Sequence, residues 1–215
     1  MTRSAGCRSV ELSALREGEL LPLLDALDSL DLSAFSYVSI HAPSRFNAEW
    51  EQVAVTRLRS ELHRESPVVA HPDALHDLPL WREFGTLLCI ENMDKRKPFG
   101  RTARELDLIF FQLPDASLCF DIGHARQYDP TMTEACLILR EFGRTLRQVH
   151  ISEVNTASKH DPLSWAPIRA FQAVAHPIPE NVPLILETPV ELADMSAEIA
   201  KAHQALTSPR KAMVA

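Results

Sequence analysis

The chain has 215 residues, of which 46% are hydrophobic and 24% are charged, and its formal charge is −7 at pH 7. This length predicts a single globular domain over residues 1–215 that buries roughly 70% of its unfolded surface. The negative charge disfavours broad attachment to nucleic acid or to an anionic membrane.

Short β-rich runs alternate with longer amphipathic stretches along the chain. The predicted strands cover residues 9–13, 35–41, 67–71, 86–91, 117–121, 147–152 and 183–187. The predicted helices follow them at about 15–29, 47–63, 74–84, 101–112, 131–143, 164–175 and 190–206. This order gives seven βα units.

A polar residue closes each predicted strand, and these residues recur about every thirty positions, apart from one short and one long interval: Glu11, His41, His71, Glu91, Asp121, His150 and Glu187. Parallel strands are buried on both faces, which suits continuous runs such as LLCI and PLIL. The pattern predicts an α/β fold, a (β/α) TIM-type barrel. A doubly wound sheet is the alternative, but it usually needs a Gly-rich loop, and the chain has six glycines and no GxGxxG.

The segment before the first predicted strand is unusual. Gly6 followed by CRSVEL is typical of a helix end and the next strand, as if an earlier strand were absent. Seven strands cannot form the regular eight-stranded closure, so we expect either a gapped barrel without its first strand or a natural start further upstream. A gapped barrel exposes a strand edge that can pair with a partner or a second copy, which leaves a homo-oligomer open. Residues 207–215 are predicted to form a flexible tail.

The cysteine pattern predicts reduced thiols. Cys7, Cys89, Cys119 and Cys136 show no CxxC or metal-knuckle spacing. The chain also has no run of about eighteen apolar residues and no signal-peptide core, so we expect a cytoplasmic protein without a membrane partner.

The residues near the strand ends are types that bind divalent metals: His41, His71, Glu91, Asp121, His124, His150 and Glu187. Imidazole and carboxylate ligands suit Zn, Mn, Fe or Co. Each residue alone has a simpler interpretation, because a strand-end histidine is usually just hydrogen-bonded and a strand-end acid often caps a helix. Several buried acids together require cations or donors between them, which favours a metal site. Gly123 is predicted to permit a tight turn that brings Asp121 and His124 to the barrel mouth.

Seven segments, in order, resemble the xylose isomerase-like barrel superfamily: SVELSAL, YVSIHAP, VVAHPD, LLCIENMD, LCFDIGHA, VHISEVN and LILETPV. The resemblance covers about residues 5–205. This superfamily is shared by sugar isomerases and epimerases and by endonuclease IV-type nucleases (AP endonuclease family 2).

The epimerase branch implies one divalent metal (Mn, Zn, Fe, Co or Mg) held by Glu91, Asp121, His150 and Glu187. In that branch the two glutamates also move a proton from one carbon of a ketose and back, while the metal polarises the neighbouring oxygens. The resemblance therefore implies Glu91 and Glu187 as the catalytic acid and base.

The nuclease branch implies additional metals, with His41, His71 and His124 as further ligands. His160 lies where that branch carries an Asp-x-His pair, but this chain has His-Asp there. A DNA-bending nuclease also needs basic loops, whereas this chain is acidic. The basic run at Lys95, Arg96, Lys97 and Arg101 is either a solvated loop or a clamp for a sugar phosphate.

The leading hypothesis is a metal-dependent isomerase or epimerase of a small sugar or related hydroxy-carbonyl compound. The alternatives are a metal-dependent phosphoester hydrolase with a multinuclear site and a non-catalytic barrel protein. Candidate substrate contacts are His124, Asn92, His160 and Glu153, and Glu11 and Glu153 are candidates for orienting the ligands by hydrogen bonds.

Overall fold

The computed structural model describes residues 7–61 and 65–207, where seven parallel strands form a nearly closed barrel surrounded by helices. The barrel strands are β1 (Ser9–Ser13), β2 (Tyr37–His41), β3 (Val68–Ala70), β4 (Leu88–Glu91), β5 (Ser117–Asp121), β6 (Leu146–Ile151) and β9 (Leu184–Leu186). A small antiparallel hairpin, β7 (Glu153–Val154) and β8 (His160–Asp161), follows β6. The helices are α1 (Glu17–Ala26), α2 (Ala48–Ser60), α3 (Leu78–Trp81), α4 (Ala103–Gln112), α5 (Ile122–Tyr128), α6 (Thr133–Phe142), α7 (Trp165–Val174) and α8 (Met195–Leu206).

All seven predicted barrel strands are confirmed, with ends that differ by no more than two residues. The helices deviate more. The stretch predicted as a helix at 74–84 is broken into 3-10 turns on either side of the short α3, with Gly85 at a φ of 51°. Helix α8 begins at Met195, five residues later than predicted. Residues 62–64 of the predicted second helix and residues 208–215 of the predicted tail lie outside the described residues.

The sheet has two free edges. Its strand order is β1-β2-β3-β4-β5-β6-β9, and no backbone ladder joins β1 to β9 within the described residues. A cavity of about 720 Å³ lies between these edges and is lined by Ser9, Leu184 and, from α8, Ile199. Within residues 7–61 and 65–207 the barrel is therefore gapped, as expected.

Burial explains why β4 and β5 are apolar except at their ends. Every residue of β4 and β5 is buried, because the barrel interior covers one face and the helices cover the other. Helix α6 shows the matching pattern, since Ala135, Ile138, Leu139 and Phe142 form its buried face. The ring of Phe142 stacks on Phe110 of α4, with 4.6 Å between ring centroids.

The cysteines and the helices bear on the predictions of reduced thiols and of no membrane span. The four cysteines carry free thiols, and Cys89 and Cys119 pack with Val69 among the barrel strands. Among the helices that the structure describes, none combines the length and hydropathy needed to cross a membrane.

Candidate metal centre

The carboxyl ends of four neighbouring strands bring Glu91, Asp121, His150 and Glu187 together. Asp121 and His150 are direct neighbours in the β5–β6 ladder, and Glu187 follows the end of β9. One ligand atom from each of the four residues lies within 4.8 Å of the others. These are the four residues that the resemblance assigns to one metal.

Asp121 is held by the start of helix α5. Its Oδ1 atom accepts a hydrogen bond from the backbone amide of His124 at 2.6 Å, as an N-cap residue does. The side chain of Asn92, the residue after β4, holds Asp121 as well. Its amide donates to the Asp121 carbonyl and accepts from the Asp121 amide, both at 2.8 Å. The Oδ2 atom of Asp121 is left without a hydrogen-bond partner.

The tight turn predicted at Gly123 is wrong, because this residue lies inside α5. A Cβ atom at position 123 would lie 2.6 Å from the carbonyl oxygen of Ser152 and 2.8 Å from Cγ2 of Val154. Glycine is needed here because the helix approaches the backbone after β6 closely. That approach brings His124 over the barrel mouth.

The two oxygens of Glu91 face different sets of histidines. Its Oε2 atom lies 3.1 Å from Nε2 of His41 and 3.3 Å from Nε2 of His71. Its Oε1 atom lies 3.1 Å from Nδ1 of His124 and 3.8 Å from Nδ1 of His150. Glu91 therefore belongs to all three groups of candidate ligands that the described residues form. The group Glu91–Cys119–His150 shares two residues with Glu91–Asp121–His150–Glu187, so two separate ligand groups remain, this one and His41–His71–Glu91.

Several buried polar atoms at this site have no hydrogen-bond partner. They include Nδ1 of His150, Oδ2 of Asp121 and Oε2 of Glu187. Their nearest ionisable neighbours belong to the same site, with His124 Nδ1 3.2 Å from Asp121 Oδ2, Glu187 Oε1 3.2 Å from His150 Nδ1, and His160 Nδ1 3.6 Å from Glu187 Oε2. Buried polar groups are normally hydrogen-bonded, so three such atoms in one site need an explanation. A divalent cation supplies it, because imidazole and carboxylate are its usual ligands. The residues present therefore fit a metal.

The carboxyl groups differ in their electrostatic surroundings. Burial opposes ionisation of Glu91, but the adjacent imidazoles of His71, His124 and His150 hold its pKa well below the ordinary value. Burial raises the pKa of Asp121 well above its ordinary value; His124 opposes this, while the charges of Glu187 and Glu91 add to it. A cation that binds this group would displace the proton from Asp121.

Histidine protons balance the acids of this group. Burial lowers the pKa of His41, but its hydrogen bond to Glu91 and the charge of Glu11 outweigh this and raise it to about 9. Burial likewise opposes the protonation of His124, and Asp121 and Glu91 raise its pKa to about 10. Metal affinity should fall as the pH falls, since ligands must lose protons before they bind.

The other three predicted substrate contacts, His160, Asn92 and Glu153, differ in their exposure and in their hydrogen-bond partners. His160 lies on β8 with its Nδ1 atom 3.6 Å from Oε2 of Glu187, and 30% of its side chain is exposed. Asn92 is fully buried and both ends of its amide bind the Asp121 backbone, so the structure does not offer it to a substrate. Glu153 accepts a hydrogen bond from the Ser164 amide at 3.0 Å and lies 3.9 Å from Arg126.

The basic run after β4 is largely neutralised within the chain. Arg96 pairs with Asp94 at 2.9 Å, and Lys97 contacts both oxygens of Asp73 at 3.0 Å. Arg101 pairs with Glu105 at 2.8 Å. These contacts favour a paired surface loop over a clamp for a sugar phosphate.

Sequence reasoning missed most of a polar network below the mouth. Glu11, Ser39 and Gln148 are linked inside the barrel, and the hydroxyl of Tyr37 donates to Gln148 Oε1 at 2.6 Å. The available signal was the period of two along a strand, because Ser39 and Gln148 stand two residues before His41 and His150 and share their faces.

Comparisons with known proteins identify the fold. No protein-family model matches the chain, and no curated protein matches it. Solved structures do: a xylose isomerase domain protein from Planctomyces limnophilus aligns with a TM-score of 0.58 at 11% identity, over 99% of this chain and 92% of that one.

Two further structures are similar. A xylose isomerase-like TIM barrel protein from Mycobacterium smegmatis, in complex with magnesium, aligns with a TM-score of 0.59 at 13% identity, over 96% of this chain and 86% of that one. The 3-keto-D-glucoside 4-epimerase YcjR from E. coli aligns with a TM-score of 0.53 at 10% identity, over 91% of this chain and 98% of that one. The chain therefore has the xylose isomerase-like TIM-barrel fold.

Proposed function

We propose that this barrel is a divalent-metal-dependent isomerase or epimerase of a small sugar or related hydroxy-carbonyl compound. The observation that carries the proposal is the convergence of ligand atoms of Glu91, Asp121, His150 and Glu187 within 4.8 Å of one another at the mouth, where three buried polar atoms lack hydrogen-bond partners. The same fold in a keto-glucoside epimerase and in a magnesium complex supports it.

The two glutamates provide the acid and the base. Burial opposes their ionisation, but neighbouring imidazoles hold the pKa of Glu91 and of Glu187 well below the ordinary value, so both are carboxylates at neutral pH. A divalent cation, when bound, polarises the carbonyl and hydroxyl oxygens of the substrate. The carboxylate beside the activated carbon can then accept its proton and so become the acid. In an isomerisation it returns the proton to the neighbouring carbon, whereas in an epimerisation the other glutamate, after taking a proton from water, returns one to the opposite face.

Glu187 is the better placed of the two to meet a substrate. Its side chain is 20% exposed, whereas the side chain of Glu91 is 1% exposed and lies among histidines. His160 lies next to Glu187 on the open side, and its ring centroid is 5.6 Å from that of His124. We propose that these two imidazoles hold substrate oxygens while Glu187 transfers the proton.

Glu187→Gln is expected to remove proton transfer while leaving an oxygen at the ligand position. Exchange of the carbon-bound proton should slow by about 10²- to 10⁴-fold, since the general base is lost. The measurement is deuterium uptake from heavy water by a panel of ketopentoses, ketohexoses and their phosphates, followed by proton NMR with Mn²⁺ or Mg²⁺ present.

Glu198→Gln is the matched control for this experiment. Glu198 is a buried carboxylate on α8 that accepts from the Leu163 amide and lies outside both ligand groups. Its variant should exchange as the parent does. A metal-loaded parent that exchanges no member of the panel would count against an isomerase.

A second candidate function is a phosphoester hydrolase with two metals. The observation that favours it is the group of His41, His71 and Glu91, in which Glu91 shares its two oxygens between two sets of ligands. Paired metals about 3.5–4 Å apart are typical of phosphatases and nucleases. One bridging carboxylate suits such a pair.

The number of metal ions per chain separates the two functions. An epimerase of this kind should retain one ion after dialysis and should keep it in His71→Ala. A binuclear hydrolase should retain two ions, lose one in His71→Ala, and cleave bis(p-nitrophenyl) phosphate in the parent only. Elemental analysis of the dialysed protein provides the count, and a count near zero would contradict both functions.

A further inference from the structure

A buried carboxylate that belongs to neither ligand group lies directly below the mouth. Glu11 is on the edge strand β1, and its side chain is 3% exposed. Its Oε2 atom accepts from Ser39 Oγ at 2.9 Å and from Gln148 Nε2 at 2.7 Å, and it lies 3.2 Å from Nε2 of His150. A buried charge is costly unless donors surround it, and Glu11 has donors from β2 and β6.

The imidazole of His150 stands between Glu11 and the metal group. Its Nδ1 atom faces the mouth, 3.2 Å from Oε1 of Glu187 and 3.8 Å from Oε1 of Glu91. Its Nε2 atom faces the opposite way, toward Glu11. A histidine binds a metal through one ring nitrogen while the other keeps its proton, so the partner of Nε2 decides whether Nδ1 has a free lone pair.

Gln148 competes for the same ring nitrogen. Its Nε2 atom lies 2.7 Å from Nε2 of His150. Only one of these two nitrogens can donate a hydrogen bond to the other. The Tyr37 hydroxyl donates to Gln148 Oε1, so the amide NH₂ group points the other way. Its two hydrogens have acceptors at Oε2 of Glu11, at 2.7 Å, and at Sγ of Cys119, at 3.5 Å, so neither is needed by His150. Glu11 is therefore the acceptor that remains for a proton on His150 Nε2.

We propose that Glu11 is a positioning residue for the metal centre: it accepts a hydrogen bond from the Nε2–H group of His150, which keeps the proton on Nε2 and leaves the Nδ1 lone pair free for the metal. This inference rests on the proposed metal-dependent function. It also explains why an acid occupies an edge strand of a gapped barrel. The links from Glu11 to Gln148 and His150 tie β1 to β6 across the interior, on the side where no ladder joins β1 to β9.

The first test is the affinity for Zn²⁺ alone, measured by calorimetry on the full chain. Glu11→Gln keeps the shape of the side chain but removes its charge and places a competing donor beside His150. We expect Zn²⁺ to bind about 10- to 100-fold more weakly, as when an outer-shell partner of a metal-binding histidine is lost.

Glu51→Gln controls for the general effect of neutralising a buried acid. Glu51 is also buried, and it accepts from the His76 and Asp77 amides and from Trp81 Nε1, all away from the mouth. Its variant should bind Zn²⁺ as the parent does. Equal Zn²⁺ affinity in Glu11→Gln and the parent would overturn the proposal, whereas a parent that binds no Zn²⁺ would overturn the proposed function instead.

A second readout on the parent protein does not depend on how well the variant folds. Nitrogen-15 NMR of the Zn²⁺-loaded parent should show Nδ1 of His150 as the ligand and Nε2 with a strongly deshielded proton, as in a hydrogen bond to a carboxylate. Coordination through Nε2, or an Nε2 proton without this shift, would overturn the proposal. Where Glu11→Gln folds, its Nε2 proton should lose the shift, while Glu51→Gln retains it.

Discussion

Replacing Glu91 with glutamine is expected to abolish metal binding and activity together. Each Glu91 oxygen faces a separate set of imidazoles, so one substitution weakens both ligand groups. Mutation of a residue that only hydrogen-bonds to a metal ligand weakens metal binding by about 10- to 100-fold. Loss of a ligand itself should therefore lower the metal affinity by more than about 100-fold. Turnover should fall by at least the 10²- to 10⁴-fold expected for a lost acid or base. Calorimetry with Zn²⁺ and elemental analysis of the dialysed variant measure the first effect.

The same substitution should also destabilise the protein. Glu91 is 1% exposed and lies 3.1 Å from both His41 and His124, whose pKa values are raised, so a neutral amide leaves these two imidazoles without their counter-charge. Breaking a buried ion pair on one side costs about 3–5 kcal/mol. Glu198→Gln is again the comparison, because it neutralises a buried acid outside the metal centre. A Glu91→Gln protein that kept its full metal content would refute the shared-ligand geometry.

The barrel strands were predictable because each one carries a strong local pattern. The runs LCIE and SLCFD are apolar over both faces and end at an acid, and burial on both sides of a parallel sheet requires that pattern. The grouping of the strand-end residues at the barrel mouth could also be predicted, because parallel strands place their carboxyl ends on the same side. This explains how residues as distant in sequence as Glu91 and Glu187 could be assigned to one site.

Other features depend on contacts that a local pattern does not show. Gly123 was interpreted as a turn, yet its role is to let α5 lie against the Ser152 backbone. The hairpin of β7 and β8 has strands of two residues each, too short for any periodicity. The division of Glu91 between two sets of histidines depends on side-chain torsions. Sequence alone could propose the ligands, but it could not show that one of them is shared.

Metal binding is expected to raise the melting temperature in proportion to the logarithm of the free metal concentration. A ligand that binds only the folded state stabilises it by about 2.7 kcal/mol at 100 times its Kd, and by about 4.1 kcal/mol at 1,000 times. For a protein of this length, each kcal/mol shifts the melting temperature by about 2–4 °C. The expected rise at 100 times the Kd is therefore roughly 5–11 °C, measured by calorimetry after treatment with a chelator.

The stripped protein should still fold, because the carboxylates do not face one another unshielded. The pKa of His124 is raised to about 10 by Asp121 and Glu91 in spite of burial, so at neutral pH its proton offsets part of their repulsion. Repulsion among Glu91, Asp121 and Glu187 therefore lowers the stability of the metal-free protein less than the number of acids suggests. A melting curve that is the same in chelator and in saturating metal would contradict the metal centre itself.

The dependence of stability on the logarithm of metal concentration has a slope that gives the number of bound ions. One ion that binds only the folded state adds about 1.4 kcal/mol to the free energy of unfolding for each tenfold rise in metal concentration above its Kd, and two ions add about 2.8 kcal/mol. Glu198→Gln should change the free energy of unfolding of the metal-free protein but not its slope against the logarithm of metal concentration. Glu91→Gln should bring that slope close to zero. His71→Ala should halve a two-ion slope and leave a one-ion slope unchanged, because His71 contacts Glu91 only through the oxygen that faces His41. The same titration therefore tests whether Glu91 holds one cation, as in the proposed epimerase, or bridges two, as in the proposed hydrolase.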